Sequence, residues 1–144
     1  MATRSAIAVK KPNGTVQAVY CHWDGYPQHN GKILGDHYDY NKTLQLVTLG
    51  NISILAPEIH PSTDAHSFDS PEEGVCVFYH RDRGETGQDP KTFNTVGDFA
   101  DHYEQSWCEY FYFIDTDGEW YVSKASDRKS FELLEYKLLE KETA

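Results

Sequence analysis

At 144 residues, with 39% hydrophobic and 25% charged residues, the chain has the length and composition of one folded domain spanning 1–144, able to bury its apolar surface without disulfides or a structural metal. Its 23 acidic residues against 13 basic ones give a formal charge of −10, which repels phosphate backbones and excludes general nucleic-acid binding. The same surface attracts a basic partner, as a DNA mimic does, or serves solubility alone.

Cys21, Cys76 and Cys108 are odd in number, widely spaced and set in hydrophobic runs, the pattern of buried free thiols in a reducing compartment, here read as cytoplasm. Residues 1–5 lead into an alternating segment rather than an apolar one, and no 18 consecutive residues are apolar, so neither export nor membrane insertion is expected.

Residues 5–11 alternate, with Ile7 and Val9 on one face, and residues 15–23 alternate again after the turn signal Pro12-Asn13-Gly14, which predicts an opening hairpin. Ile33, Leu34, His37 and Tyr38 recur at helical spacing. Asn41 is placed to cap a second short helix carrying Leu44, Val47 and Thr48 and stopped by Gly50. Pro57, Pro61 and Pro71 make residues 56–74 an irregular excursion. A short strand follows over 75–79, then a polar loop through Pro90. Thr95 followed by Asp98 marks a helix start, with Val96, Phe99, Ala100 and Tyr103 on one face. Residues 109–114 and 119–123 flank Asp115-Thr116-Asp117-Gly118 as a second, aromatic hairpin. The tail over 131–142 fits a helix slightly better than a strand. The expected fold is α+β, a mainly antiparallel sheet of about four to five strands with two to four helices packed on one face.

Only four residues are arginine, and Arg4, Arg81 and Arg83 flank predicted strand ends. The planar guanidinium suits carboxylate or phosphate and stacks on rings, so these positions suggest a local anion pocket; pairing with Asp24, Asp82 and Glu85 in surface networks explains them equally well. The run Cys21-His22-Trp23-Asp24-Gly25-Tyr26-Pro27 crowds an imidazole, an indole, a carboxylate and a phenol around a turn; a core Trp beside a turn that Asp24 caps is the plainer account. The candidate ligand set is Arg4, Ser5, His22, Trp23, Asp24, Tyr26, His80, Arg81, Arg83 and Glu85, converging if the opening hairpin and the strand over 75–79 are sheet neighbours. No metal motif, nucleophile elbow or phosphate loop occurs, so no cofactor and no catalytic residue is assigned; Asp115-Thr116-Asp117-Gly118-Glu119 lacks the rest of a calcium loop. His22 with Asp24, or His80 with Asp82, leaves a small hydrolase or nucleotide-modifying enzyme as an alternative.

The segments Thr3-Arg4-Ser5-Ala6-Ile7, Tyr20-Cys21-His22-Trp23-Asp24-Gly25-Tyr26-Pro27, Tyr79-His80-Arg81-Asp82-Arg83-Gly84-Glu85 and Gly118-Glu119-Trp120-Tyr121-Val122 together resemble a family of small proteins encoded by bacteriophages and prophages. The resemblance covers nearly the whole chain, and the His-Trp-Asp-Gly-Tyr run is its strongest motif. It implies an accessory protein in the host cytoplasm that interferes with an antiviral system as a stoichiometric binder, either of a host protein or of a small nucleotide-like anion. A structural phage protein, including a homo-oligomer, is a further alternative.

Overall fold

The computed structural model describes residues 2–127, 130–135 and 138. Its elements in chain order are β1 (Ser5–Lys10), β2 (Val16–Cys21), a π-helical turn Pro27–Gly31, α1 (Lys32–His37), α2 (Tyr40–Thr48), β3 (Ile52–Ile54), β4 (Val77–Phe78), α3 (Tyr79–Arg83), β5 (Lys91–Phe93), α4 (Val96–Glu104), β6 (Tyr110–Ile114), β7 (Trp120–Lys124), a 3-10 turn Ala125–Asp127 and β8 (Glu132–Leu133). No helix among the described residues is long and apolar enough to cross a membrane.

The strands form one sheet in the order β4-β3-β2-β1-β6-β7-β8, with β5 also paired to β2. The α+β expectation holds, but the sheet is wider, eight strands instead of four to five, and mixed: β1 pairs with β6, and β2 with β3, in parallel. Parallel neighbours need a crossover. Residues 22–51 supply one, carrying α1 and α2 between β2 and β3, and residues 94–109 supply the other, carrying α4 from β5 to β6. The strands that the sequence did not announce, β3, β5 and β8, are two or three residues long, too short for alternation to register.

Helices cover both faces of the sheet, not one. On the first face Ile7, Val9, Val19, Tyr112 and Ile114 meet Leu34 of α1 and Leu46 and Val47 of α2. On the second, Ala6, Ala8, Ala18, Phe111 and Phe113 meet Phe99, Ala100 and Tyr103 of α4. β1 is therefore buried on both faces. Its alanines leave room for the rings of Phe99 and Tyr103 to lie close against the sheet.

Local chemistry sets the element ends. Thr95 Oγ1 accepts from the Asp98 amide (3.0 Å) and starts α4 as expected. α2 is capped by Asp39, which accepts from the Lys42 amide (2.8 Å), and not by Asn41. The strand expected over 75–79 ends at Phe78, and Tyr79–Arg83 winds into α3, closed by Gly84 at φ +75°. Within the tail expected as a helix over 131–142, Glu132–Leu133 instead pair with β7 as β8, while Leu134, Glu135 and Leu138 are helical as expected; positions 136–137 and 139–142 lie outside the described residues.

One repair holds the sheet together beside its candidate site. β5 pairs with β2 at Val16, Gln17 and Ala18, and β3 pairs with it at Cys21, so Tyr20 falls in the gap between them. Asn51 fills the gap: its Oδ1 accepts from the Tyr20 amide (2.9 Å) and its Nδ2 donates to Gln88 Oε1 (3.0 Å). Asn51→Ala strands a strand-centre N–H, so we expect about 1–3 kcal/mol of lost stability in chemical denaturation and faster hydrogen exchange at the Tyr20 amide.

Candidate functional site

β1 and β6 begin, and β2 and β7 end, at the same end of the sheet. The His22-Trp23-Asp24-Gly25-Tyr26 turn is built there. The β2–β3 ladder runs on past β2, with the His22 amide donating to Ile52 O (3.0 Å) and the Trp23 amide to Ser53 O (3.1 Å). Asp24 then takes φ +57°, a left-handed conformation that Asp tolerates better than most residues. Gly25 turns back onto β1, donating to Thr3 O (2.8 Å) while its own carbonyl accepts from Tyr112 Oη (2.6 Å). A Cβ at Gly25 would lie 2.7 Å from Ser5 Cβ and 2.8 Å from Thr3 O, a collision with backbone that only glycine avoids. Asn30, fully buried, donates to Trp23 O (3.0 Å) and to Cys21 Sγ (3.4 Å). The turn is fixed from both sides, so its side chains are presented on a rigid frame.

The predicted residues divide into three groups. Arg4, His22, Trp23, Asp24 and Tyr26 do assemble at this end. Tyr20 Oη lies 2.7 Å from His22 Nδ1 and is hydrogen-bonded by Arg4; burial pushes the Tyr20 phenol up to about 12, with Arg4 working against the rise. Burial and the Arg4 charge together hold His22 below the ordinary histidine range, which favours a neutral ring near pH 7. The Trp23 indole meets that ring edge-on at 4.7 Å. Ser5 is different: it is fully buried opposite Cys21 in the β1–β2 register and reaches no ligand from solvent.

The residues of α3 form a separate group across β3. Arg83 is exposed, stacks over Phe68 (4.8 Å) and pairs with Glu85 (3.2 Å), and His80 Nδ1 lies 2.9 Å from Glu85 O. Arg81 is engaged by groups of the fold itself. Its guanidinium donates to Asp82 (2.9 and 3.1 Å), to Ile59 O (2.6 Å) and to Cys76 O (2.9 Å), and covers the Phe78 ring. Asp82 also accepts from the Phe78 amide (2.8 Å) and faces His66 Nε2 at 3.3 Å. The Glu72 amide donates to His66 Nδ1 (3.0 Å), which places the ring proton on Nε2, toward Asp82. This cluster ties the 56–74 excursion to α3. Neither His-Asp pair considered for acid-base work forms a hydrogen bond in this arrangement: His22 turns to Tyr20, and Asp82 is taken by Arg81 and His66.

The sequence reading missed two residues of the assembled end. Among the described residues, the large hydrophobics left exposed are Trp23, Tyr26, Ile54 and Trp107, and all four lie at this end: Ile54 closes β3, and Trp107 precedes β6 by three positions. Trp107 is 77% exposed at φ +67°. The Cys108 amide returns to Tyr103 O and the Trp107 amide to Glu104 O (both 3.1 Å), a helix-ending pattern that normally places glycine where Trp107 stands. The conformation costs about 1 kcal/mol relative to glycine. The available signal was a tryptophan inside the polar run Glu104-Gln105-Ser106-Trp107 directly after a helix.

Two cavities lie beside this end or farther along the sheet, and neither is lined by the turn residues. A cavity of about 320 Å³ is lined by residues such as Tyr110, Lys124 and Phe131, and a shallow one of about 530 Å³ by residues such as Asn13, Gln17 and Thr92; neither borders Arg4, His22 or Trp23. The three thiols are buried, and burial raises Cys21 and Cys108 to about 12, which suits packing more than reactivity. Among the described residues no group of three or more His, Cys, Asp or Glu side chains is arranged to hold a metal ion.

Two substitutions separate frame from surface. Gly25→Ala should cost about 2–4 kcal/mol in chemical denaturation, since the new methyl meets backbone that has nowhere to move. Burial opposes ionisation of Asp82, but the Arg81 and Phe78 hydrogen bonds, the Arg81 charge and His66 outweigh it and hold the carboxyl below its usual range. Its contribution is complete above the unfolded carboxyl value of about 4 and fades as pH falls through the lower folded value. Asp82→Asn should therefore be less stable than wild type at pH 7, with the gap closing below about pH 4 when unfolding is followed across that range. Comparison with family models, with curated proteins and with solved structures finds no match for this chain.

Proposed function

We propose that the protein is a non-enzymatic binding protein whose docking surface is the end of the sheet that carries Arg4, His22, Trp23, Tyr26, Ile54 and Trp107, and that it acts by occupying another protein. One observation carries this reading: the exposed large hydrophobics among the described residues gather at one end of the sheet. Scattered apolar residues are ordinary, but a group at one end of the sheet that combines Trp, Tyr and Arg has the composition of an interface centre. From β3 to β6 the group spans three strand spacings, roughly 15 Å, well inside the footprint of about 800 Å² that each partner gives to a stable complex. Among the described residues, both non-glycine residues with positive φ, Asp24 and Trp107, also fall here, and conformational strain is commonly kept where function requires it.

The likeness to small phage proteins supplies the setting: the partner is a host protein, and the consequence is antagonism of a host antiviral system. With a net charge of −10, long-range attraction favours a partner of basic surface, and association should weaken as salt rises. A small nucleotide-like anion is the second reading. It has Arg4 and the His22 ring as donors, but the cavities of about 320 and 530 Å³ are not lined by either residue.

Tagged wild type and the Trp23→Ala/Tyr26→Ala double variant, each recovered from bacterial host cells and examined by native mass spectrometry, distinguish these cases. We expect a protein bound to wild type at fixed stoichiometry, and recovery reduced at least roughly tenfold for the variant at unchanged Tm. A nucleotide adduct without a protein would replace the first reading with the second. Equal recovery of the protein by both forms would remove this end of the sheet as the docking surface.

A further inference from the structure

We infer that Arg4 and the Nε2–H of His22 form a carboxylate receptor within the docking end, that Tyr20 positions His22 for it, and that the carboxylate is an Asp or Glu side chain of the docked protein. This rests on the reading that the end of the sheet docks a protein. Strand geometry assembles the group. Tyr20 and His22 are two positions apart and share the α4 face, where Tyr20 packs beside Ala6 and Ala18. The β1–β2 register pairs Ala6 with Tyr20 and Ser5 with Cys21, so one step further Arg4 stands opposite His22.

The hydrogen bonds then fix one tautomer. Arg4 can only donate, and it is bonded to the Tyr20 hydroxyl. That oxygen accepts from Arg4 and has its own proton to give, and His22 Nδ1 lies 2.7 Å away. A neutral imidazole that accepts at Nδ1 carries its proton on Nε2, on the side of the ring turned from Tyr20. Burial and the Arg4 charge, which hold His22 below the ordinary histidine range, keep a second proton off.

Both ends of this relay are left without a counterpart. Among the described residues Nε2 has no hydrogen-bond partner, and Arg4 forms no ion pair, even with Glu109, whose amide bonds to Arg4 O (2.8 Å). A cation beside an N–H donor matches a singly charged anion with two oxygens, which is a carboxylate. A phosphate dianion asks for more donors and is repelled more strongly by the net charge of −10. The cavities of about 320 and 530 Å³ are lined by neither residue, so the group arrives on a protein surface and not as a free small molecule. Net charge governs approach from beyond a Debye length of about 8 Å; at contact the guanidinium decides.

Long-range proton–nitrogen correlation spectra of the histidine rings read the tautomer directly. At pH 7 we expect the His22 proton on Nε2 in wild type and a mixture of tautomers in Tyr20→Phe, with Tm showing that the variant is folded. Sodium acetate, titrated against sodium chloride at matched ionic strength, should shift the His22 Nε2 and Arg4 Nε resonances with a Kd of about 10–100 mM. Arg4→Gln should lose the His22 shift, and inorganic phosphate should bind more weakly than acetate. A proton on Nδ1, no acetate-specific shift, or tighter binding of phosphate would overturn the inference. In the host-cell recovery, Arg4→Gln should reduce the bound protein roughly tenfold at unchanged Tm. If Arg4→Gln keeps the protein that Trp23→Ala/Tyr26→Ala loses, the docking end stands and the receptor falls; if neither variant loses it, the docking end falls as well.

Discussion

The structure depends on β1 being closed in every direction. Its two edges are hydrogen-bonded, to β2 in one sense and to β6 in the other, and its two faces lie under helices. A strand with no free edge and no wet face must be apolar throughout, and Ala6-Ile7-Ala8-Val9 meets that demand with small residues on the α4 side and branched ones on the other. Parallel pairing with β6 requires a helical crossover, and that crossover is α4. The same pairing brings the starts of β1 and β6 and the exit of β2 to a common end, so the position of the candidate surface follows from the packing of the central strand.

What was legible in the sequence corresponds to signals carried by several residues at once. The opening hairpin, the aromatic hairpin and the Thr95-capped helix each combine a turn or cap with a run of patterned side chains, and all three are present. β3 and β5 carry three residues each, and their identity as strands comes from the β2 edge beside them, not from their own pattern. The second helical layer escaped notice for a related reason. Ala6 and Ala8 read as weak positions in an alternating strand, whereas in the fold their small size admits the α4 aromatics.

The site was legible in part, and the division is physical. His22, Trp23 and Tyr26 were found because a crowded run of polar aromatics around a glycine is visible in one dimension, and Arg4 joined them because β1 starts where β2 ends. Arg81 was misleading: its distinctive position reflects a role in tying Ile59, Cys76 and Asp82 together, and a guanidinium with those partners is spent on folding. Ser5 shares a sequence neighbourhood with Arg4 but points into the core, because adjacent strand residues face opposite ways. Ile54 carried no motif, and Trp107 only the weak one of a tryptophan in a polar run after a helix, so their exposure distinguishes them.

Strain and exposure coincide at one place, and their coincidence argues against a purely structural account of that end. Asp24 holds a left-handed conformation in the turn that Gly25 and Asn30 lock, and Trp107 holds one at the terminus of α4. Each departs from the residue that folding alone would favour, while Tyr112 donates to the Gly25 carbonyl, Asn51 bridges the gap beside Tyr20, Asn30 donates to the Trp23 carbonyl, and the buried Ser5 hydroxyl is left without a hydrogen-bond partner. An indole held in water on a left-handed backbone is the kind of feature that folding alone does not select for, which is what the proposed docking role draws on.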